Sequence, residues 1–413
     1  MDSFARRLGA LMAERDLGVR AVGRRVPCDP GLISRLRRGL AQPSPKIARR
    51  LDEVLGARGE LVALAAAPSS RAIPVAAVPG EPSRAVEALQ VAASGDSGSG
   101  GFAEDGLSEL VGHYAHTVAV APSSGVYAEL VSARSFAATL LSRGSRAQRL
   151  DMTVTAGWLS SLLAVSAADL GDHAAALVWC ADTERRSRDA GYPELLGWAA
   201  LTRALIAWYQ GDPVRSAAAA RRGQSGKLLG AVAVKLAAQE MRCLAMLGDM
   251  AGMAAAHRRA AAAMSKLGPA AHTPGIYSVP RAADPPYTAT SLLLAGRHGE
   301  AVQMTRRIVA TAYSPYPRAS GGQPTAYART LLILALAAAG LGEIDEAAAA
   351  GTAALEAGHL VWPTMVLAGK LDLSLKAKSA GSVYAADFRD RYIDAGRRLV
   401  LSAAPGGAGD GGG

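Results

Sequence analysis

The sequence predicts an all-α chain in three parts. These are a small basic helical domain at 1–64, a flexible Pro/Gly/Ser-rich linker at 65–105 and a C-terminal α-solenoid at 106–402, with a disordered tail at 403–413. Three observations carry that expectation. Apolar residues recur at helical spacing, and period-two alternation is almost missing beyond Leu107. Positive charge is concentrated near the N-terminus. A glycine-centred turn recurs through the second half, at Gly171, Gly211, Gly248, Gly296 and Gly342.

Composition bounds the function classes. Of 413 residues, 50% are hydrophobic, which excludes a chain disordered throughout. No uninterrupted apolar run of about 18 residues occurs, so no membrane span is expected. MDSFARRLGALMAERD carries charges among its apolar positions and reads as a helix, not a signal peptide. Cys28, Cys180 and Cys243 are too few and too far apart for a disulfide frame or a zinc site. The expected compartment is the cytoplasm.

In the N-terminal domain, Phe4, Leu8, Leu11 and Met12 form the apolar stripe of a first helix, and Val19, Val22 and Val26 that of a short second one. Asp29-Pro30 is a helix start: an acceptor at the N-cap, then proline where a missing N–H costs nothing. The third helix runs to Arg38 and stops at Gly39; Ser44-Pro45 opens a fourth, lined by Ile47, Ala48, Leu51, Val54 and Leu55. Ile33 and Leu36 face inward, toward Val22 and Leu51, and Gly31, Ser34, Arg35 and Arg38 share the opposite face. Thirteen basic against six acidic side chains in residues 1–58 put seven of the ten net positive charges there. A short helix with such a face suits the major groove, where Arg pairs with guanine, Ser donates or accepts, and Leu32 meets a thymine methyl. Arg20, Arg24, Ser44 and Lys46 are candidates for holding phosphates.

The stretch VRAVGRRVPCDPGLISRLRRGLAQPSPKIARRLDEVLG resembles the helix-turn-helix of the Xre/phage-repressor family. Ile33-Ser34, Gly39, Pro43-Ser44 and the Ala48…Leu51 helix carry the likeness. It implies a recognition helix at 30–38 with Asp29 in the capping slot, and double-stranded DNA as partner. Departures stand at Val19, Gly23, Pro27 and Arg37, where many members have a glutamine, a packing alanine, the turn glycine and a glutamate. An adaptor that no longer reads DNA is the alternative.

Proline at 68, 74, 79 and 82 and the run SGDSGSGGF mark the linker, with Ala85–Ala93 forming at most a turn or two. Beyond it, helices follow the recurring turns, many of them alanine-rich, at glycine steps of 37 to 48 residues. That spacing is the mark of a helical solenoid. This half resembles a degenerate tetratricopeptide-like domain, of the kind found behind Xre-type modules in bacterial regulators. The resemblance implies a homodimer and a groove for a peptide, small-molecule or protein effector. Trp158, Trp198, Tyr209, Tyr277, Arg281 and Tyr287 are its lining candidates, with inter-helix packing as the alternative role. Glu109, His113 and His116 fall on one helical face without the further ligands a metal needs. No phosphate loop, nucleophile elbow or zinc-protease motif is present, so neither an enzyme nor a cofactor is expected.

Overall fold

The structure is a computed structural model that describes residues 4–15, 17, 19–26, 33, 36–37, 43, 45–66, 84–94, 100–121, 123–142, 146–224, 228–273, 275–313, 324–357, 359–378 and 381–403. Among the described residues every regular element is helical. The N-terminal helices are α1 (Phe4–Glu14), α2 (Val19–Arg25), α3 (Pro45–Val54) and α4 (Glu60–Ala66). Ile33, Leu36 and Arg37 are also helical. Leu8, Leu11, Val22, Val26, Ile33, Leu36, Ile47, Leu51, Leu55 and Leu61 form one closed core. Phe4 and Val54 pack against this core half-buried and Ala48 is buried, so the inward set expected from the apolar spacing packs, apart from Val19, whose side chain lies outside the described residues.

The segment read as continuous linker is partly helical. Helix α5 (Arg84–Ser94) forms between the proline-dotted stretch and the glycine run, and α6 (Gly100–Val120) begins inside SGDSGSGGF. Val86 and Leu89 supply the reason: both bury against Leu107, Tyr114, Val126 and Leu130. A Cβ at Gly106 would stand 2.6 Å from Leu89 Cδ1, so a glycine in α6 admits α5 closely. Tertiary burial overrides weak local propensity here. The tail at 404–413 lies outside the described residues.

The array continues through α7 (Ser123–Leu141), α8 (Arg146–Leu170), α9 (His173–Ala190), α10 (Pro193–Tyr209), α11 (Pro213–Gly223), α12 (Gly230–Met246) and α13 (Met250–Met264). A 3₁₀ turn, Pro269–His272, and an irregular segment lead to α14 (Thr288–Leu294), α15 (His298–Ala312), α16 (Pro324–Leu341), α17 (Ile344–Leu355), α18 (Trp362–Lys378) and α19 (Val383–Ala403). Consecutive helices pack in repeat-like succession.

The recurring glycine explains the tight hairpins. Gly171, Gly211, Gly248, Gly296 and Gly342 have φ of 84°, 84°, 77°, 73° and 84°. At each, the glycine N–H and the next N–H bond back to carbonyls three and five residues earlier, as Gly171→Ala168 (3.1 Å) and Asp172→Ala167 (2.9 Å) do. This is the Schellman closure, and only glycine takes that φ without steric cost. Asp172, Asp212 and Asp249 then cap the following helix, accepting from Ala175, Arg215 and Gly252 at 3.0, 2.8 and 2.8 Å. Close approach is secured by small residues: a Cβ at buried Gly223 would lie 2.8 Å from the Ala200 Cβ and 2.9 Å from Leu236.

Buried polar groups are tied across hairpins. Arg134 donates to Ser160 (2.9 Å) and Asp182 (2.7 Å), joining α7, α8 and α9. Glu240 on α12 accepts from Arg221, Gln224 and Arg259 at 2.6–2.8 Å. The array also bends back on itself: α16 touches α6 and α18 touches α8. A Cβ at Gly171 would stand 3.4 Å from Trp362 Cδ1, and Trp362 lies edge-on to His173 with centroids 4.2 Å apart. Helices α8 and α16 are apolar enough over 148–170 and 324–341 to cross a membrane by length and composition, yet 67% and 56% of those windows is buried within the fold.

Candidate DNA-binding module and a charged cavity in the array

Around the N-terminal core, one buried carboxylate organises the end of the module. Asp52, on α3, accepts from the backbone N–H groups of Gly59 (2.7 Å), Leu61 (2.8 Å) and Val62 (3.3 Å). Leu61 and Val62 are donors in the first turn of α4 that lack intrahelical partners, and Gly59 immediately precedes it. Arg7 on α1 donates to Glu60 at 2.6 Å and ties the same turn to the first helix. A Cβ at Gly9 on α1 would stand 3.6 Å from Arg37 Cγ. Arg25, Arg37 and Arg49 are exposed.

Of the sequence-derived DNA contacts, Gly31, Leu32, Ser34, Arg35, Arg38 and Ser44 lie outside the described residues, as does Cys28. Arg20 and Arg24 belong to α2, and Lys46 is half-buried in the first turn of α3. Residues 3–65 match the family model of a helix-turn-helix domain. No curated protein and no solved structure gives a significant match to the chain. The chain is thus an all-α protein with an N-terminal helix-turn-helix domain followed by repeat-like helical packing, and the helix-turn-helix domain suggests a DNA-binding regulator.

The array encloses two adjoining cavities of about 170 and 220 Å³. Helices α6, α8, α10, α12, α16 and α18 and the irregular 275–287 segment wall the first. Tyr209, Lys235, Tyr287, Ala326 and Arg329 line both. Of the aromatic candidates, Trp198, Tyr209, Tyr277 and Tyr287 reach this space. Trp158 stands behind it, edge-on to Tyr277 with centroids 4.9 Å apart. Arg281 is exposed and outside both linings.

The charged groups there escaped the sequence reading. Lys235 donates to the Ile276 carbonyl at 2.6 Å and sits 5.3 Å from the Trp198 ring centre. Burial and neighbouring Arg329 pull its ammonium down to about 7. Arg242 is 3% exposed and lies 4.1 Å from the Tyr287 ring centre and 4.5 Å from that of Trp208. Its Nε and Nη2 have no hydrogen-bond partner. Burial pushes the Asp169 carboxyl up to about 6, against the pull of Arg329. The available signal was a single ionisable residue inside an apolar helical run, as in AVAVKLAAQ and PTAYARTLLILALAAAG.

Cys180 and Cys243 are fully buried, and burial pushes the Cys180 thiol up to about 12, so it is not a nucleophile at neutral pH. Glu109, His113 and His116 are all exposed on α6.

Proposed function

We propose that the protein is a cytoplasmic, sequence-specific transcriptional regulator of the Xre type. It uses residues 30–38 as its recognition helix and the tetratricopeptide-like array to dimerise and to sense an effector. The helix-turn-helix match at 3–65 carries the reading. The clustering of seven of ten net charges within residues 1–58 supports it, because a polyphosphate partner is attracted to such a surface. Two copies would set their recognition helices ~34–36 Å apart and favour a palindrome. Arg35 and Arg38 read bases in this scheme, with Gly31, Leu32 and Ser34 beside them, while Arg20, Arg24, Ser44 and Lys46 hold phosphates.

The test is genome-wide occupancy of the tagged protein, followed by mobility shifts on the recovered sites. Arg35→Ala is expected to cost ~1–3 kcal/mol and to relax preference at one base pair. Lys46→Ala is expected to weaken all sequences alike and to reduce the salt slope by about one. Diffuse occupancy, unchanged in the Arg35→Ala/Arg38→Ala variant, would turn the assignment toward a protein-binding adaptor.

A further inference from the structure

Three cationic side chains converge on the paired cavities, and the fold gives them almost no anions. Arg329 has no hydrogen bond and no ion pair among the described residues, although it lines both spaces. Arg242 leaves two guanidinium nitrogens unpartnered while 3% exposed. Lys235 satisfies one of its three donors on the Ile276 carbonyl. Arg242 is buried, whereas Arg329 and Lys235 are half-buried; a buried cation without a hydrogen-bond partner is costly, and leaving it so is uncommon in a well-packed interior. The acids facing this space are Asp169, in the first cavity, and Asp284, in the second, which is already paired with Arg307.

We propose that this cavity is a binding site for a small amphipathic monocarboxylate, whose carboxylate is taken by Arg329 and Arg242 and whose apolar or aromatic body lies among the ring faces. The planar guanidinium fork matches a carboxylate in two parallel bonds. Trp198, Tyr209, Tyr277, Tyr287, Tyr313 and Trp362 supply the apolar wall. Each cavity is many times the ~10–15 Å³ that one water requires, so the pair admits a small molecule. Asp169 selects charge: a carboxylate facing the same space opposes a phosphate dianion more than a monoanion. Lys235 adds positive potential at the seam of the two cavities.

Binding of the acid stands on the cavity alone; its role as effector rests on the regulator reading. The experiment is titration calorimetry on the full chain with a probe panel. It holds benzoate, phenylacetate, indole-3-acetate and octanoate, the primary amide of each, phenyl phosphate, and a short aromatic peptide with free or amidated C-terminus. Saturable binding of at least one carboxylate is expected, with its amide at least about tenfold weaker. Arg329→Gln and Arg242→Gln are each expected to cost about tenfold or more in affinity, the loss of one charge-assisted contact. Both variants are expected to keep the parent's ligand-free fold; any fall in melting temperature measures the stacking of Arg242 on Tyr287 and Trp208 and the attraction between Arg329 and Asp169. That ligand-free readout, with circular dichroism, separates lost binding from lost folding.

Equal binding of amide and acid, tighter binding of phenyl phosphate, or no saturable binding anywhere in the panel overturns the proposal. Preference for the free-ended peptide over every small acid keeps the carboxylate chemistry and moves its source to a peptide terminus. Operator affinity is measured on the same variants. Intact DNA binding without carboxylate binding removes this proposal alone, and carboxylate binding without DNA binding removes only the regulator.

Discussion

Asp52→Ala removes the carboxylate that receives the amides of Gly59, Leu61 and Val62, at 2.7, 2.8 and 3.3 Å. Hydrogen bonds to a charged group contribute ~1.5–3 kcal/mol each, and losing one N-terminal helix cap typically costs ~0.5–2 kcal/mol. The Leu61 residue is fully buried, so its amide gains little from water in exchange. Counting two strong bonds and one weak one, and allowing for non-additivity, the expected loss is about 3 kcal/mol. A module of this size has ~3–9 kcal/mol in total, from ~0.05–0.15 kcal/mol per residue. Helix α4 should therefore detach, or the module unfold, near physiological temperature. The assay is hydrogen exchange by mass spectrometry on peptides spanning residues 55–66 of the full chain. Exchange should accelerate by about two decades, since each 1.4 kcal/mol is roughly tenfold. Exposed Glu53→Ala is the control, expected within about 0.5 kcal/mol of the parent. Protection in Asp52→Ala within about threefold of the parent would refute the role given to this carboxylate.

Three further outcomes follow from the array. Asp182 is pushed up by burial, but hydrogen bonds from Arg134 and Ser160 and the charge of Arg134 overcome this and hold it down to about 2. Its contribution is complete above the ordinary carboxylate pKa and is lost as pH falls through about 2, so Asp182→Asn should cost about 3 kcal/mol at pH 7. Melting curves of parent and variant should converge near pH 2; a gap that persists there would contradict the linkage. Gly223→Val forces atoms into the 2.8–2.9 Å space against Ala200 and Leu236 and should lower stability by ~1–3 kcal/mol, read by urea denaturation. Gly211→Ala meets nothing within 4 Å, so only its φ of 84° is strained, and a cost of ~1–2 kcal/mol in the same assay is expected.

The readable parts of the fold were those encoded locally. Leu8, Val22, Ile33, Leu36 and Leu51 announce an inward face by spacing alone, and all five are buried together. Glycine followed by an acid or arginine announces a Schellman turn, because few other residues accept that backbone. Helix α5 was missed because its stability comes from Val86 and Leu89 meeting partners 17 or more residues away, not from its own composition. The cavity was half-legible. Aromatic residues drew notice as a class, but Asp169, Lys235 and Arg329 look like isolated charges until the array brings residues 160 apart to one wall. Trp158 and Arg281 show the limit of residue type as a guide, one sitting behind the wall and the other outside it.

The meeting of Trp362 with Gly171 and His173 has a consequence for how the chain is made. Open solenoids grow by neighbour contacts and fold from any point outward. Here the seam joins segments about 190 residues apart, which raises contact order and delays completion. Synthesis runs at about 5–20 residues per second, so the first helices wait ten seconds or more for the one that closes them. During that interval the wall formed by α16 and α18 does not exist, and truncation before Trp362 should leave α8 and α10 with an uncovered apolar flank. Chain completion itself is then the event that makes the interior, and nascent or clipped forms should be recognised by quality control as unfinished.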